Sequence, residues 1–240
     1  MQRDVPTQPN IAITEEKFWN SIRRKRNWSG PGIDRTTNYW LKKMSITHRG
    51  ISIAITEIIN NEIPLPSWLL EGRTVLIPKK VNPRPVEHRS ITCLNVLYKA
   101  ISGVIKDLLP IDLLQIDQRG GRRGTMGCND NLLIDKAVLE DARLHSKNLS
   151  MVWVDVKKAF DSIHHDWIIK TLTIHNTHPK LISMVKNIIQ NWKITLEVTT
   201  RQGKEQIGPI KVNRGIIQGD DLVLSFTLYQ LILLDGSYDR

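Results

Sequence analysis

Apolar residues recur at helical spacing along much of the chain. A stripe of them every three or four positions predicts helices at residues 37–61 and 94–109. Thr14 is a helix-capping residue followed by two glutamates, which predicts a helix from there to the basic residues at 23–26. Further helices are expected at residues 129–145, 166–172 and 179–191. In the 37–61 stretch the residues assigned to packing are Trp40, Met44, Ile51, Ile55, Ile58 and Ile59.

Short β-branched runs predict two hairpins. Residues 73–78 and 89–92 are strands on either side of a basic loop, and residues 192–198 alternate apolar and polar positions. A turn at residues 201–203 then leads into a second strand at residues 207–212. The pattern indicates strands and helices in one α+β fold.

A fifth apolar run, residues 151–154, predicts a buried strand that ends at Asp155. An ionised carboxylate beside an apolar run needs a partner, and a divalent cation is a common one. Asp161 and Ser162 then suit the N-cap of a helix beginning near His165. The same order also fits a strand-to-helix corner whose charges face solvent.

The charge of the chain favours an anionic partner. Its 240 residues carry 34 Lys and Arg against 24 Asp and Glu, a formal net charge of +10. Nucleic acid is the commonest partner for such a charge, although ribosomal and membrane-surface proteins share it. The basic cluster at residues 23–26 fits phosphate contact and fits equally well a set of cations at the negative end of a helix.

Several classes of protein are disfavoured by the sequence. Two cysteines, Cys93 and Cys128, make neither a disulfide framework nor a zinc site. The first ten residues lack the apolar core of a signal peptide, and the longest apolar run, at residues 223–234, is shorter than a membrane span. We therefore expect an intracellular protein, cytoplasmic or nuclear, that is neither secreted nor inserted in a membrane.

Five motifs occur in the order found in one enzyme family. Residues 155–161 (DVKKAFD) match its first carboxylate motif, Asp-x-x-x-Ala-Phe-Asp. The chain resembles reverse transcriptases of the non-LTR (LINE-type) retrotransposon family over nearly its whole length. The other four motifs are residues 27–34 (NWSGPGID), 69–80 (LLEGRTVLIPKK), 88–99 (HRSITCLNVLYK) and 215–220 (GIIQGD).

The resemblance implies a right-hand polymerase fold. It divides the chain into a linker at residues 1–12, an N-terminal helical extension at 13–66, fingers at 67–150 and a partial palm at 151–240. An antiparallel palm sheet packed on helices is expected, with the thumb absent.

The resemblance also implies the chemistry. An RNA-directed DNA polymerase extends a DNA primer along an RNA template with deoxynucleoside triphosphates, and two Mg²⁺ ions assist the transfer. Asp155 and the carbonyl of Val156 are the implied metal ligands, with Asp155 as the catalytic carboxylate. Phe160 is implied to select deoxynucleotides.

The remaining implied site residues contact the nucleotide. Gln218 and Gly219 are expected to face the incoming nucleotide and the template base, and Arg89 and Lys79 to contact its triphosphate. The family usually has a proline where this chain has Ser90, which predicts a less constrained loop. The alternative is that these cations belong to a basic loop that faces solvent and binds no ligand.

The family's second carboxylate motif, aromatic-x-Asp-Asp, does not occur in these 240 residues. Asp220 and Asp221 follow Gln-Gly at a predicted helix start and fit an N-cap better than a metal site. We therefore expect a truncated fingers–palm segment that is inactive alone and marginally folded. The alternatives are a non-catalytic basic nucleic-acid-binding remnant and a reverse transcriptase of the group II intron maturase type.

Overall fold

The computed structural model describes residues 9–84, 87–109, 124, 126–155, 158–200 and 203–222. These residues form eight α-helices and four strands. The first helices are α1 (Glu15–Arg23), α2 (Asn38–Lys43), α3 (His48–Asn60), α4 (Val96–Leu108) and α5 (Cys128–Leu144). They are followed by α6 (Ala159–Ser162), α7 (His165–Ile174) and α8 (Pro179–Asn191). The strands are β1 (Glu71–Pro78), β2 (His88–Cys93), β3 (Lys193–Thr200) and β4 (Gly203–Lys211).

Most helices begin and end close to the predicted positions. The hydroxyl of Thr14 accepts a hydrogen bond from the Lys17 amide at 3.2 Å, which confirms the predicted cap of α1. Helix α7 begins at His165 as expected, but its N-cap is His164. Asp161 and Ser162 lie instead within the short helix α6, so their predicted capping role is wrong.

The four strands form one mixed sheet in the order β2-β1-β3-β4. Both predicted hairpins are present as antiparallel pairs. Strand β1 also pairs in parallel with β3, from Glu71 opposite Lys193 to Val75 opposite Glu197. The expected antiparallel pairing holds for the two described strands of the predicted palm, β3 and β4, and the parallel pair joins this hairpin to the predicted fingers strand β1. A parallel pair between strands far apart in sequence leaves no local signal, because each strand already carries the pattern of its own hairpin.

Helices pack together to form the core. Helix α4 is buried on almost every side, from Val96 to Ile105, so it lies at the centre of the fold. The buried faces of α1, α3, α7 and α8 supply half of the remaining core side chains, and the segments between the helices supply the other half. Trp40 and Met44, predicted as packing residues, are 56% and 51% exposed, so that prediction is wrong.

Two further findings concern regions outside the core. Among the described residues no helix has the length and hydropathy needed to cross a membrane. Helix α5 has no buried residue, and several of its apolar side chains face solvent. The glycine-rich basic stretch at residues 117–124 (DQRGGRRG) lies, except for Gly124, outside the described residues.

Substitution of two isoleucines in α3 compares a buried position of that helix with an exposed one. We expect Ile59→Ala to lower the free energy of unfolding by about 2–5 kcal/mol, because Ile59 is fully buried and its loss leaves a cavity. Ile53 lies on the same helix and is 51% exposed, so Ile53→Ala should cost less than about 1 kcal/mol. Urea denaturation measures both. Equal losses in the two variants would contradict the described packing of α3.

Candidate active site

The segment after Asp155 is anchored to the core by α6. Lys158 precedes this helix in the left-handed conformation, with φ of 53°, and so turns the chain sharply. Phe160 is half-buried against the core, and Ile163 just beyond the helix is 1% exposed. One turn of helix therefore fixes the aromatic residue of the first carboxylate motif.

Helix α6 packs directly against the loop that contains Gln218. The contacts run between backbone groups, with two side chains reinforcing them. Ile216 N donates to Phe160 O at 3.0 Å, Gly215 N to Ile163 O at 2.7 Å, and Arg214 Nε to Ser162 O at 2.9 Å, while His165 Nε2 lies 2.9 Å from Gly215 O. Two motifs more than fifty residues apart in the sequence are thus joined.

Glycine is required where these segments meet. Gly215 has a φ of +83°, and a Cβ atom added to it would lie 2.9 Å from the carbonyl oxygen of Phe160. Such a distance to a backbone atom is too short for a methyl group. The close approach of α6 to the loop therefore depends on the missing side chain at position 215.

The same loop reaches strand β2 on its other side. The amide of Thr92 donates to the carbonyl oxygen of Gln218 at 3.3 Å. Gly219 has a φ of +116°, and an added Cβ would lie 2.7 Å from the carbonyl oxygen of Thr92. The Gln218 side of the loop therefore abuts the strand that carries Arg89.

Arg89 and Lys79 lie at the loop end of the β1–β2 hairpin. Both are exposed, Arg89 pairs with Ile77 in the sheet, and Lys79 N donates to the carbonyl oxygen of Glu87 at 2.9 Å. Among the described residues neither cation has a carboxylate partner. The nearby carboxylate, Glu87, instead pairs with Lys80 and Arg84, at 2.9 and 3.1 Å. A hydrogen bond from the Arg84 backbone is the largest cause that lowers the pKa of Glu87.

The predicted strand before Asp155 is absent. Residues 151–155 form no strand, and Val152, Trp153 and Val154 are 72–85% exposed. The run lies beside α5 instead, where the indole of Trp153 donates to Asp135 at 3.3 Å. β-Branched residues favour a strand only when a sheet edge is available to pair with. The edge strands β2 and β4 each have a free side in the described sheet, but neither pairs with residues 151–155, so the apolar pattern alone does not make this run a strand.

Asp155 itself is exposed, and its carboxylate has no hydrogen-bond or ion-pair partner among the described residues. Val156 lies outside the described residues. A carboxylate is a suitable ligand for Mg²⁺, which prefers hard oxygen donors. Nevertheless, within the described part of the chain no three His, Cys, Asp or Glu side chains converge. These residues alone therefore do not make a complete magnesium site.

Three buried side chains, which the sequence analysis did not predict as a group, form a hydrogen-bonded network that fixes the C-terminal end of the loop. The indole of Trp192 donates to the Tyr98 hydroxyl at 3.1 Å, and that hydroxyl donates to the Asp220 carboxylate at 2.5 Å. The Leu222 amide also donates to Asp220, at 3.1 Å. Asp220 thus connects the loop to α4 and to the residue before β3.

Burial shifts the pKa values of the two titratable groups in this network, Asp220 and Tyr98. Loss of solvent raises the pKa of Asp220, opposed by hydrogen bonds from Tyr98 and the Leu222 amide. Burial, and then the negative charge of Asp220, raises the pKa of Tyr98 well above its usual value. The only sequence signal was the position of Asp220 after Gln-Gly, because Tyr98 reads as one more residue of an amphipathic helix.

A neighbouring ion pair extends the anchoring to the N-terminal helices. The ammonium of Lys25 pairs with Asp221 and also donates to the carbonyl oxygen of Lys99 at 3.1 Å. Burial, and then the charge of Lys25, lowers the pKa of Lys99. Asp221 therefore has a structural partner, which disfavours it as a metal ligand.

Comparison with known proteins identifies the class. A family profile described as reverse transcriptase (RNA-dependent DNA polymerase) matches residues 77–236, which is most of the chain. The chain belongs to the reverse transcriptase family.

Its relatives are proteins of non-LTR retrotransposons. It is 30% identical to the Pol polyprotein of the type-2 element R2DM of Drosophila melanogaster, over 96% of this chain and 23% of that protein. It is 30% identical to the Pol polyprotein of the R2 element of Nasonia vitripennis, over 65% of this chain and 15% of that protein. It is 25% identical to the transposon TX1 149 kDa protein of Xenopus laevis, over 92% of this chain and 17% of that protein. The chain thus spans at most about a quarter of their length.

Substitution of Gly215 tests the contact between α6 and the loop, with substitution of Gly50 as the control. We expect Gly215→Ala to lower the free energy of unfolding by at least about 2 kcal/mol, because the new Cβ meets backbone at a left-handed position. Gly50 in α3 has nothing within 4 Å of an added Cβ, so Gly50→Ala should gain about 0.5–1 kcal/mol. Urea denaturation measures both. A neutral Gly215→Ala would refute the close approach.

The buried carboxylate predicts a pH dependence of stability. The pKa of Asp220 is raised in the folded chain, so its contribution to stability is fully present below its ordinary pKa of 3.8 and is lost as the pH rises through the raised value. Asp220→Asn cannot ionise. We therefore expect this variant to gain stability relative to the parent as the pH is raised from 3.8 to neutrality.

Denaturant unfolding of the parent and of Asp220→Asn across this pH range gives the difference between their free energies of unfolding. The contributions of the other titrating groups cancel in that difference. Asp161→Asn is the matched control, because Asp161 is exposed. A difference between the parent and Asp220→Asn that does not change with pH would show that Asp220 is not desolvated.

Proposed function

We propose that the chain is the fingers and part of the palm of an RNA-directed DNA polymerase from a non-LTR retrotransposon protein. The observation that carries the proposal is the convergence of three motifs. Helix α6 is hydrogen-bonded to the Gly215–Ile216 backbone, and Gln218–Gly219 contacts Thr92, three residues after Arg89. A polymerase holds a deoxynucleoside triphosphate with an aromatic residue, a template-side loop and cations, and the contacts among the segments that carry these groups support the proposal.

Asp155 is the proposed catalytic carboxylate. Its exposure without a partner leaves both oxygens open to ligands, as a metal-binding carboxylate requires. Asp155 and the Val156 carbonyl would hold Mg²⁺, which supplies neutralisation of phosphate charge and a more acidic primer hydroxyl. Because the described residues bring no second carboxylate to this place, other ligands must complete the site in the active protein.

Phe160, Gln218 and Gly219 are proposed to position the nucleotide. The carbonyl oxygen of Phe160 accepts a hydrogen bond from the Ile216 amide, so the backbone that carries the ring is held against the loop. A rigid aromatic side chain beside the sugar would clash with a 2′-hydroxyl and so select deoxynucleotides. Gln218 is half-buried, which leaves part of its side chain available to a base.

Arg89 and Lys79 are proposed to bind the triphosphate. Fixed cations stabilise phosphoryl transfer when they point at the developing charge and are not neutralised by the protein. Glu87 is engaged by Lys80 and Arg84, so it does not neutralise Arg89 or Lys79. The partners implied are an RNA template and a DNA primer, in an intracellular setting.

Primer extension on an RNA template tests the assignment of Asp155. Because the 240 residues carry one of the required carboxylates, we expect no extension from them alone, so the assay uses the longest native polypeptide that contains them. Asp155→Asn should reduce the extension rate by about 100-fold or more, because a metal ligand is lost. Asp161→Asn, an exposed carboxylate of the same motif, should retain most of the activity.

Three outcomes would contradict the proposal. Extension by the 240-residue chain itself, abolished by Asp155→Asn, would show that one carboxylate suffices. Retained activity in Asp155→Asn would remove Asp155 from the site. Template binding without extension in any form of the protein would favour the non-catalytic nucleic-acid-binding alternative.

A further inference from the structure

The loop at residues 215–220 is held at its first residue by a histidine side chain to which the proposed function gives no role. Gly215 is buried, and the Nε2 atom of His165 lies 2.9 Å from its carbonyl oxygen. A carbonyl oxygen can only accept a hydrogen bond, so Nε2 carries a hydrogen and donates it. Because a buried carbonyl without a donor is costly, His165 stabilises the backbone at the point where the loop begins.

The same imidazole ring packs against Trp192. The two ring centroids are 6.1 Å apart and the ring planes meet at 76°, which is an edge-to-face contact. Trp192 follows α8, precedes β3 and is fully buried, and its carbonyl oxygen accepts a hydrogen bond from the Val212 amide at 3.0 Å. His165 is therefore held in place by a side chain of the closely packed core.

Trp192 also supports the other end of the loop. Its indole donates to the Tyr98 hydroxyl at 3.1 Å, and that hydroxyl donates to the carboxylate of Asp220, the last residue of the loop. One buried indole therefore anchors both ends of the loop. These contacts form the loop clamp, whose residues are Gly215, His165, Trp192, Tyr98 and Asp220.

We propose that His165 is a positioning residue, which through the loop clamp fixes Gln218 where the incoming nucleotide and the template base meet it. The inference rests on the function proposed above, because only a nucleotide gives the position of Gln218 a role in the reaction. His165 contacts no proposed metal ligand and acts through the backbone of Gly215. Its loss should therefore weaken nucleotide binding and leave the chemical step nearly unchanged.

The two contacts of His165 can be removed separately. Phenylalanine keeps an aromatic ring against Trp192 and has no donor, whereas glutamine has no ring and places an amide N–H near the position of Nε2. The matched control is His164, the preceding residue, which is exposed and makes no side-chain capping bond to α7. Substitution of His164 changes the same residue type at the same helix end without touching the loop.

Amide hydrogen exchange of the 240-residue chain, resolved by residue and measured without nucleotide or metal, tests the loop clamp. We expect His165→Phe to speed exchange at the amides of Ile216 and Thr92 about tenfold, because these amides bond across the contacts of the loop with α6 and β2. His165→Gln should keep the parent rate at Ile216, because the donor to Gly215 is restored. His164→Phe should exchange as the parent does.

The amides of α3 separate a local effect from a general loss of stability. Helix α3 contributes no residue to the loop clamp, so its amides should exchange at the parent rate in every variant. His165→Leu is a second variant without a donor, and its side chain is smaller than phenylalanine. It should give the same result as His165→Phe and decides the test if the larger ring prevents folding.

Primer extension by the longest native polypeptide that contains these residues tests what the loop clamp does for the nucleotide. We expect His165→Phe to raise KM for the deoxynucleotide about tenfold and to change kcat less than about threefold, because the loop holds the base equally before and during the transfer. His165→Gln should have a KM close to that of the parent. Asp155→Asn should show the opposite pattern, a loss of kcat.

The inference is overturned if His165→Phe and His165→Leu exchange at Ile216 and Thr92 as the parent does, or if the amides of α3 speed up equally. It is also overturned if His165→Gln exchanges as fast as His165→Phe, or if a faster exchange leaves KM unchanged.

Failure of this inference and failure of the proposed function give different results. If no form of the protein extends a primer, the polymerase assignment fails, and the exchange rates alone decide whether His165 holds the loop. If extension is lost in Asp155→Asn while the His165 variants exchange as the parent does, the polymerase assignment stands and the role of His165 is refuted.

Discussion

The burial of one carboxylate underlies the arrangement of the candidate site. Asp220 has exchanged water for the hydroxyl of Tyr98 and the amide of Leu222, and burial of such a group is costly unless those bonds are kept. Its position fixes the end of the loop that runs from Gly215 through Gln218. That loop in turn contacts α6 on one side and β2 on the other. Loss of the hydrogen bonds among Trp192, Tyr98 and Asp220 would therefore loosen the contacts that the loop makes with α6 and with β2.

The local pattern of apolar and polar residues predicted most of the helices and both hairpins. Helices α1, α4, α7 and α8 begin within two residues of the expected positions, because each has a continuous apolar face or a recognisable cap. The pattern failed at residues 151–154, where an apolar run that pairs with no strand of the described sheet stays exposed. It also failed at Trp40, where helical spacing suggested packing although the indole faces solvent.

The residues of the candidate site were named through family resemblance, whereas the contacts that hold their segments together could not be predicted from the sequence. The sequence order of motifs named Phe160, Gln218 and Arg89 through family resemblance, and the structure places the segments carrying Phe160 and Gln218 in contact. Nothing in the sequence showed that Trp192, Tyr98 and Asp220 form one buried chain. Their separation along the chain means that only folding brings them together, and each residue taken alone has an ordinary explanation.

The parallel pairing of β1 with β3 has a consequence for how the chain is made. Arg73 on β1 forms an ion pair at 3.2 Å with Glu197 on β3, although the two residues are 124 positions apart. Strand β1 therefore leaves the ribosome long before its neighbour exists. During that interval one side of the strand offers unsatisfied backbone groups to other chains. Synthesis that pauses, or ends early, between the two strands should therefore yield a species prone to association and dependent on chaperones.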